Sequence, residues 1–291
     1  MPAHPELPVP RFSLIGMSSP FQVQVVHIGP QKTATTWLHA ALTEHPEVTT
    51  CDRDSIHFFD MHNFRGTAWY HRQFPLPATG IPFDSTPSYG RCPLAPCRIS
   101  EYNPETKILL TARNPIERAF SHYWHEKKKQ RFNYTFDEVL RNYDLFANWV
   151  EPGFYANTAR RFLDYFPREQ IHIAFFDDLC ANPSLFLQEI LEFIGVDSGF
   201  QPEVLDRRIN PAGVSAPRTA KMLRKALGQR SLPPFCRKAF LRLGLIRPPE
   251  KLSDQPDDLV RELTHVFLTD IEELEKLTDR ELGSWKRHGN E

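Results

Sequence analysis

One segment constrains the fold more than any other. FQVQVVHI, residues 21–28, passes through Gly29-Pro30-Gln31-Lys32-Thr33-Ala34 into TTWLHAAL, residues 35–42. The β-branched run between Pro20 and Gly29 predicts a strand. The hydroxyl-bearing Thr35 and Thr36 suit the N-terminal cap of a helix. A strand that runs directly into a helix must cross over to pair again, which favours parallel pairing. The same alternation continues downstream. A short strand is expected within 79–90, and KILLTA, residues 107–112, reads as a buried strand. Helices are expected near 115–129, 135–148, 154–166 and 183–194, with a strand at 170–176 before the last of them. The predicted class is therefore α/β, a central, mostly parallel sheet flanked by helices on both faces.

A chain of 291 residues, 41% apolar and 12% aromatic, can bury a sizeable core and does not resemble a disordered chain. Residues 1–20 are expected to be a flexible arm and 21–291 a single domain, with a basic segment at 208–250 and a helical one at 251–291. The net charge of −1 gives no general attraction to nucleic acid, and none is expected as a partner. The proline-rich start has no long apolar stretch after a basic one, as a signal peptide would. Cys51, Cys92, Cys97, Cys180 and Cys236 are odd in number and lack zinc spacing. They are expected to be thiols in a reducing compartment, the cytoplasm.

In a parallel α/β sheet, ligands bind beyond the carboxyl ends of the strands. Three polar loops sit at such ends, after Ile28, Phe83 and Ala112. The first offers open backbone N–H groups and the positive end of a helix dipole. Lys32 adds a full charge, and Thr33, Thr35 and Thr36 add hydroxyl donors. That chemistry suits a phosphate-like group, although a plain capped helix with an exposed lysine has the same appearance. The nucleotide-triphosphatase pattern G-x-x-x-x-G-K-[ST] does not fit, because Lys32 follows Gly29 by three residues and no second glycine precedes it.

GPQKTATTWLHAAL resembles the 5′-phosphosulfate loop of sulfotransferases that use 3′-phosphoadenosine-5′-phosphosulfate (PAPS). It is most similar to the heparan-sulfate or glycan branch, N- and 3-O-, and a bacterial member is expected. By this resemblance Pro30, Gln31, Lys32, Thr33, Ala34, Thr35 and Thr36 hold the 5′-phosphosulfate. The branch usually reads KTGTT, so Ala34 occupies a glycine position. Close backbone approach should survive there provided that Ala34 does not need positive φ. KILLTARNPIERAFSHYWHEKK, residues 107–128, resembles the 3′-phosphate motif of the family, which assigns Arg113 and Ser121 to that phosphate. Arg113 at a strand end also suits bidentate phosphate binding on its own chemistry. HFFD at 57–60, RGTAWYHRQF at 65–74 and residues 153–179 resemble the same branch. The implied fold is the P-loop-like sulfotransferase fold, and the implied product is adenosine 3′,5′-bisphosphate.

Sulfuryl transfer resembles phosphoryl transfer: the protein aligns groups, offsets charge and takes a proton. Lys32 is assigned to the departing phosphate. Asp84, in FDSTPSYG, is the first candidate base, because it takes the place of a glutamate in the branch's EKTPSYF-like stretch. Ser85 there replaces a lysine, which puts the usual acceptor contacts in doubt. His57 is the competing base, since imidazole titrates near neutrality, although a structural histidine would read the same. His27, His122 and His125 read as packing or surface residues. No cluster has metal spacing, and PAPS has no phosphate chain that demands magnesium, so no metal is expected.

Ten basic residues and no acidic one lie between Arg208 and Pro249. Such a field attracts anions, and Arg218 is a candidate for the nucleotide. FCRKAFLRLGLI, residues 235–246, mixes bulky and basic residues as interfacial segments do, so peripheral membrane contact is one expectation. The predicted activity is PAPS-dependent sulfotransfer (EC 2.8.2 type) to a hydroxyl or amino group of a saccharide-type acceptor. The alternatives are a small-molecule or lipid alcohol as acceptor, a nucleotide or small-molecule kinase, and a non-catalytic anion-binding protein on the same fold. The family often has Lys-Glu where Asp54 and Ser55 stand and a lysine where Ser85 stands, and the loss of these charges speaks against a long sulfated glycan.

Overall fold

A computed structural model describes residues 21–51, 53, 55–128, 133–206 and 256–286. Five strands form one sheet: β1 Val25–Gly29, β2 Val48–Thr50, β3 Ile81–Ser85, β4 Lys107–Ala112 and β5 Ile171–Phe175. Their order is β2-β3-β1-β4-β5, and every pairing is parallel. Regular pairing in β1 starts four residues later than the apolar run. Before it, Gln24 N donates to Pro82 O and Gln24 O accepts from Lys107 N.

Successive residues of the central strands face opposite ways. Val25, Phe83 and Leu109 pack on Trp37, Leu38, Leu187 and Ile190. These come from helices α1 (Thr35–Glu44) and α9 (Pro183–Ile194). Val26, Ile28, Ile108 and Leu110 face the other way, toward Phe58, Tyr70, Tyr89, Ile116 and Phe162. That second layer holds α2 (Thr67–His71), α3 (Ala95–Tyr102), α4 (Pro115–Lys128), α5 (Phe136–Arg141), α6 (Tyr143–Trp149) and α7 (Tyr155–Leu163). A short helix α8 (Phe176–Ala181) follows β5. The chain returns as α10 (Asp257–Thr278), whose Val260, Leu263, Phe267, Ile271 and Leu274 repeat at helical spacing and join this core. The short α11 (Gly283–Lys286) adds Trp285 to it.

One expectation needs correction. The single helix near 135–148 is two helices. Asn142 takes extended geometry, and its side chain accepts from Leu145 N, which ends one helix and caps the next. The sequence also did not predict β2, nor the π-helical turn at Phe58–His62 and the helix α2 that lie between β2 and β3. The arm at 1–20, Asp54, Arg218, the basic segment 208–250 and the stretch 235–246 lie outside the described residues. Cys51, Cys92, Cys97 and Cys180 are thiols.

Candidate active site

β1 is the central strand. The chain leaves it toward β2 on one side and reaches β4 on the other, so the crevice beyond β1 and β4 is the topological switch point. Gly29 ends β1 with φ 81°, and a Cβ there would lie 2.5 Å from Pro87 Cα. Only glycine lets the loop after β3 approach this closely.

The loop that follows is strained. Lys32 and Ala34 have φ of 77° and 69°, in the left-handed region. Ala34 therefore does need positive φ, the condition under which a glycine would be preferred. Ala34, not a threonine, occupies the cap position of α1, and no side chain caps that helix. The expected hydroxyl cap is absent because Thr35 and Thr36 already lie inside the helix. The first-turn N–H groups thus keep the anion-binding capacity that a cap would consume.

Thr33 is brought to the loop but turned inward. It is fully buried, and its hydroxyl donates to Pro30 O at 2.7 Å. Its oxygen also meets Thr111 Oγ1. Thr111 lies 3.0 Å from His27 Nε2, and His27 Nδ1 lies 3.0 Å from Ser85 Oγ. A buried chain of hydroxyls and one imidazole therefore ties β3, β1 and β4 to the loop. Burial, helped by His39, pushes the His27 pKa down to about 3, so the ring is neutral. Ser85 accordingly faces His27 and not the cleft.

Arg113 leaves the end of β4, and its guanidinium reaches back to the carbonyl of Lys32. Lys32 and Arg113, about eighty residues apart in sequence, thus meet in space. The same guanidinium lies on the Phe176 ring, 4.7 Å from its centroid, and Nη2 donates to Glu117 at 2.7 Å. Tyr155 Oη accepts from Arg113 N. Ser121 follows two turns along α4, on the same stripe as Glu117. His122 is buried beside Trp149. Burial, and then the cations Arg118, Lys32, His125 and Arg91, hold its pKa well below the usual range, so it is neutral.

The two candidate bases have different surroundings. Asp84 is fully buried. Its carboxylate accepts from Tyr70 Oη at 2.7 Å, Tyr89 Oη at 2.9 Å and Thr86 Oγ1 at 2.7 Å. Burial raises its pKa, and the three hydroxyls pull the other way. His57 is half-buried, and its Nδ1 lies 3.1 Å from Asp60 Oδ2 and 3.0 Å from Ser88 Oγ. Ser88 spends its proton on Asp60, so Nδ1 carries the ring proton and Nε2 keeps its lone pair. The Asp60 bond outweighs desolvation and raises the His57 pKa. Burial opposes ionisation of Asp60, but the bonds from His57 and Ser88 prevail and hold its pKa below the ordinary value. Arg98 donates to the carbonyls of Phe59 and Asp60 and fixes this turn. Sequence reasoning missed Asp60, Ser88 and Arg98. The HFFD run contained Asp60, but nothing in its spacing showed that the turn would fold the carboxylate back onto His57.

Among the described residues no group of three or more His, Cys, Asp or Glu side chains is placed to hold a metal ion. No described helix is long and apolar enough to cross a membrane.

Residues 22–246 match the family model described as "Sulfotransferase domain". The chain is 32% identical over 189 residues to human bifunctional heparan sulfate N-deacetylase/N-sulfotransferase 2, a match that covers 58% of this chain and 21% of that protein. It is 30% identical over 203 residues to mouse heparan sulfate glucosamine 3-O-sulfotransferase 3B1, covering 67% of this chain and 52% of the relative. The chain thus spans about a fifth of the first relative and about half of the second. Its fold is shared with a sulfotransferase from Alicyclobacillus acidocaldarius, at TM-score 0.68 and 23% identity, over 92% of this chain and all of that one. With the Lys32 loop and Arg113 joined at the carboxyl ends of adjacent strands, and a family match over most of the chain, this protein belongs to the sulfotransferase family.

Proposed function

We propose that the protein transfers the sulfuryl group of PAPS to a hydroxyl or amino group of a saccharide-type acceptor, with His57 as the base. The observation that carries this reading is the contact between the Arg113 guanidinium and the Lys32 carbonyl. It places a bidentate cation beside an uncapped helix start, two features suited to the two phosphate ends of one nucleotide. The donor supplies an activated sulfuryl group. The loop N–H groups from Gln31 to Thr36, placed by Pro30, and the Lys32 ammonium would hold its 5′ end, and Arg113 and Ser121 its 3′-phosphate. His57 Nε2 would take the acceptor proton, while Asp60 holds the imidazole by Nδ1 and stabilises its charged form. Asp84 is sealed from solvent, so an acceptor cannot touch it in this arrangement. The saccharide class is supported by the two heparan sulfate relatives. The absence of a lysine at position 85 favours a less charged acceptor than a long sulfated glycan.

Calorimetric titration with adenosine 3′,5′-bisphosphate, beside ATP with magnesium, tests the donor site on wild type and Lys32→Ala. The expected result is metal-independent bisphosphate binding that weakens at least tenfold in the variant, the loss of one charge-assisted contact being about 1.5–3 kcal/mol. Preference for magnesium ATP, or no bisphosphate binding, would overturn the donor assignment. Transfer to a panel of amino and neutral oligosaccharides and simple alcohols then identifies the acceptor. Loss of turnover in His57→Asn, with bisphosphate binding retained, is the result expected of the base.

A further inference from the structure

His57 is held in an unfavourable backbone conformation. Its φ is 57° and ψ 34°, the left-handed region, at the entry to the π-helical turn. For a side chain with a Cβ this costs about 1–2 kcal/mol, and it persists only where surrounding bonds enforce it. The enforcing bonds are visible on both sides. Ile56 N donates to Thr86 Oγ1 at 3.1 Å, and His57 N lies 3.5 Å from the same oxygen. Phe58 N donates to Tyr89 Oη at 2.8 Å. Thr86 and Tyr89 each have a single hydroxyl proton, and both give it to Asp84. The third donor to Asp84, Tyr70, stacks on Phe58 with ring centroids 4.3 Å apart.

The polarity of this arrangement is set at its centre. Three O–H groups aim at two carboxylate oxygens, so Asp84 can act only as an acceptor. Each hydroxyl oxygen is then left with lone pairs, and two of the three use them on the backbone N–H groups that flank His57. An apolar residue at 84 would leave these hydroxyls free to turn.

We infer that Asp84 is a positioning residue: through Thr86 and Tyr89 it clamps the backbone on either side of His57, aiming Nδ1 at Asp60 and leaving Nε2 toward the acceptor. This rests on the reading of His57 as the base, but its geometry can be tested separately. His57 is faced by Asp60 and Ser88 at hydrogen-bond distance, and Asp84 and Arg91 act on it through charge. Variants that cut the relays while keeping every one of these groups isolate positioning from electrostatics.

Thr86→Val keeps shape and removes one relay, and Tyr89→Phe removes the other. The readout is the imidazole 15N spectrum of His57 against pH, with bisphosphate calorimetry as the check on fold. In wild type the ring should show one tautomer, with the proton on Nδ1, and a midpoint above the ordinary 6.5. In each variant the expected result is mixed tautomers and a midpoint moved toward 6.5, with bisphosphate affinity unchanged within about twofold. Thr86→Ser, which restores the hydroxyl, should restore the wild-type spectrum. Once an acceptor is known, kcat should fall roughly 10–100-fold in Thr86→Val, the scale of a 1 Å misplacement, with little change in the KM for donor. An unchanged His57 tautomer and midpoint in both variants overturns the inference. Full turnover in His57→Asn instead removes the base assignment, and the spectra still decide whether the clamp exists.

Discussion

At the scale of single residues, Ala34 is where local sequence and backbone disagree. Its φ of 69° is glycine territory, and it stands at the hinge between the Lys32 loop and α1. Left-handed geometry costs a residue with a Cβ about 1–2 kcal/mol, and glycine loses about 0.5–1 kcal/mol of that gain through its freer unfolded chain. Ala34→Gly should therefore raise stability by up to about 1 kcal/mol, seen as roughly 2–4 °C in Tm, without loss of bisphosphate binding. His57 and Asp60 give a pH prediction at the same scale. A base must be neutral to accept a proton, so kcat/KM should rise with pH through a midpoint above 6.5. Asp60→Asn should move that midpoint down and lower the plateau. For stability the signs are opposite for the two partners. The raised His57 pKa contributes stability that is complete below 6.5 and fades as pH rises through the folded value. The lowered Asp60 pKa contributes stability present above 3.8 and lost as pH falls through its folded value. The pair therefore contributes most between the two.

At the scale of elements, the nucleotide end of the site depends on helix ends joined across long stretches of sequence. Asp270 of α10 accepts from the N–H groups of Ala156 at 3.0 Å and Asn157 at 2.9 Å, capping α7 from outside. α7 begins at Tyr155, whose hydroxyl accepts from Arg113 N. Asp270→Ala should cost about 1–2 kcal/mol, as the loss of a helix cap does, read as a lower denaturant midpoint. Bisphosphate affinity should fall with it, because Tyr155 would no longer fix the start of Arg113. The existence and order of most of these elements were legible in the apolar periodicity, and KILLTA is a strand with the bounds the sequence implied. The turn at Phe58–His62 was not, because a π-helical turn has no hydrophobic period of its own and is shaped by Arg98, Thr86 and Tyr89 from other segments.

At the scale of the whole molecule, the C-terminal helix shares a core with the central sheet. α10 begins after residue 246, where the family match ends, yet Leu263 and Phe267 are fully buried in the same cluster as Ile28, Ala112 and Tyr155. Phe267 packs on Phe154 and lies within 3 Å of where a Cβ on Gly153 would stand. Phe267→Ala should cost about 3–5 kcal/mol. It should lower the unfolding midpoint of the sheet and of α10 together, measured by circular dichroism and tryptophan fluorescence. Two separate transitions would mean that the C-terminal helix is an independent unit.

The amino-acid sequence alone determined the parallel α/β class, four of the five strands and the anion-binding chemistry of the Lys32 loop, but not β2. These follow from apolar periodicity, helix-start chemistry and charge, all local in the chain, whereas the roles of Arg113 and Ser121 were implied by resemblance. Tertiary structure decided the rest. Asp84 was readable as a carboxylate at a strand end, but only packing shows that three hydroxyls seal it from solvent. His57 was readable as an imidazole, but only folding brings Asp60 and Ser88 to one of its nitrogens. Thr33 was readable as a hydroxyl donor to phosphate, but its side chain turns inward to Pro30 and Thr111. The reason is common to all three: a side chain's role depends on whether its polar atoms meet solvent or one another, and that is fixed by residues distant in sequence.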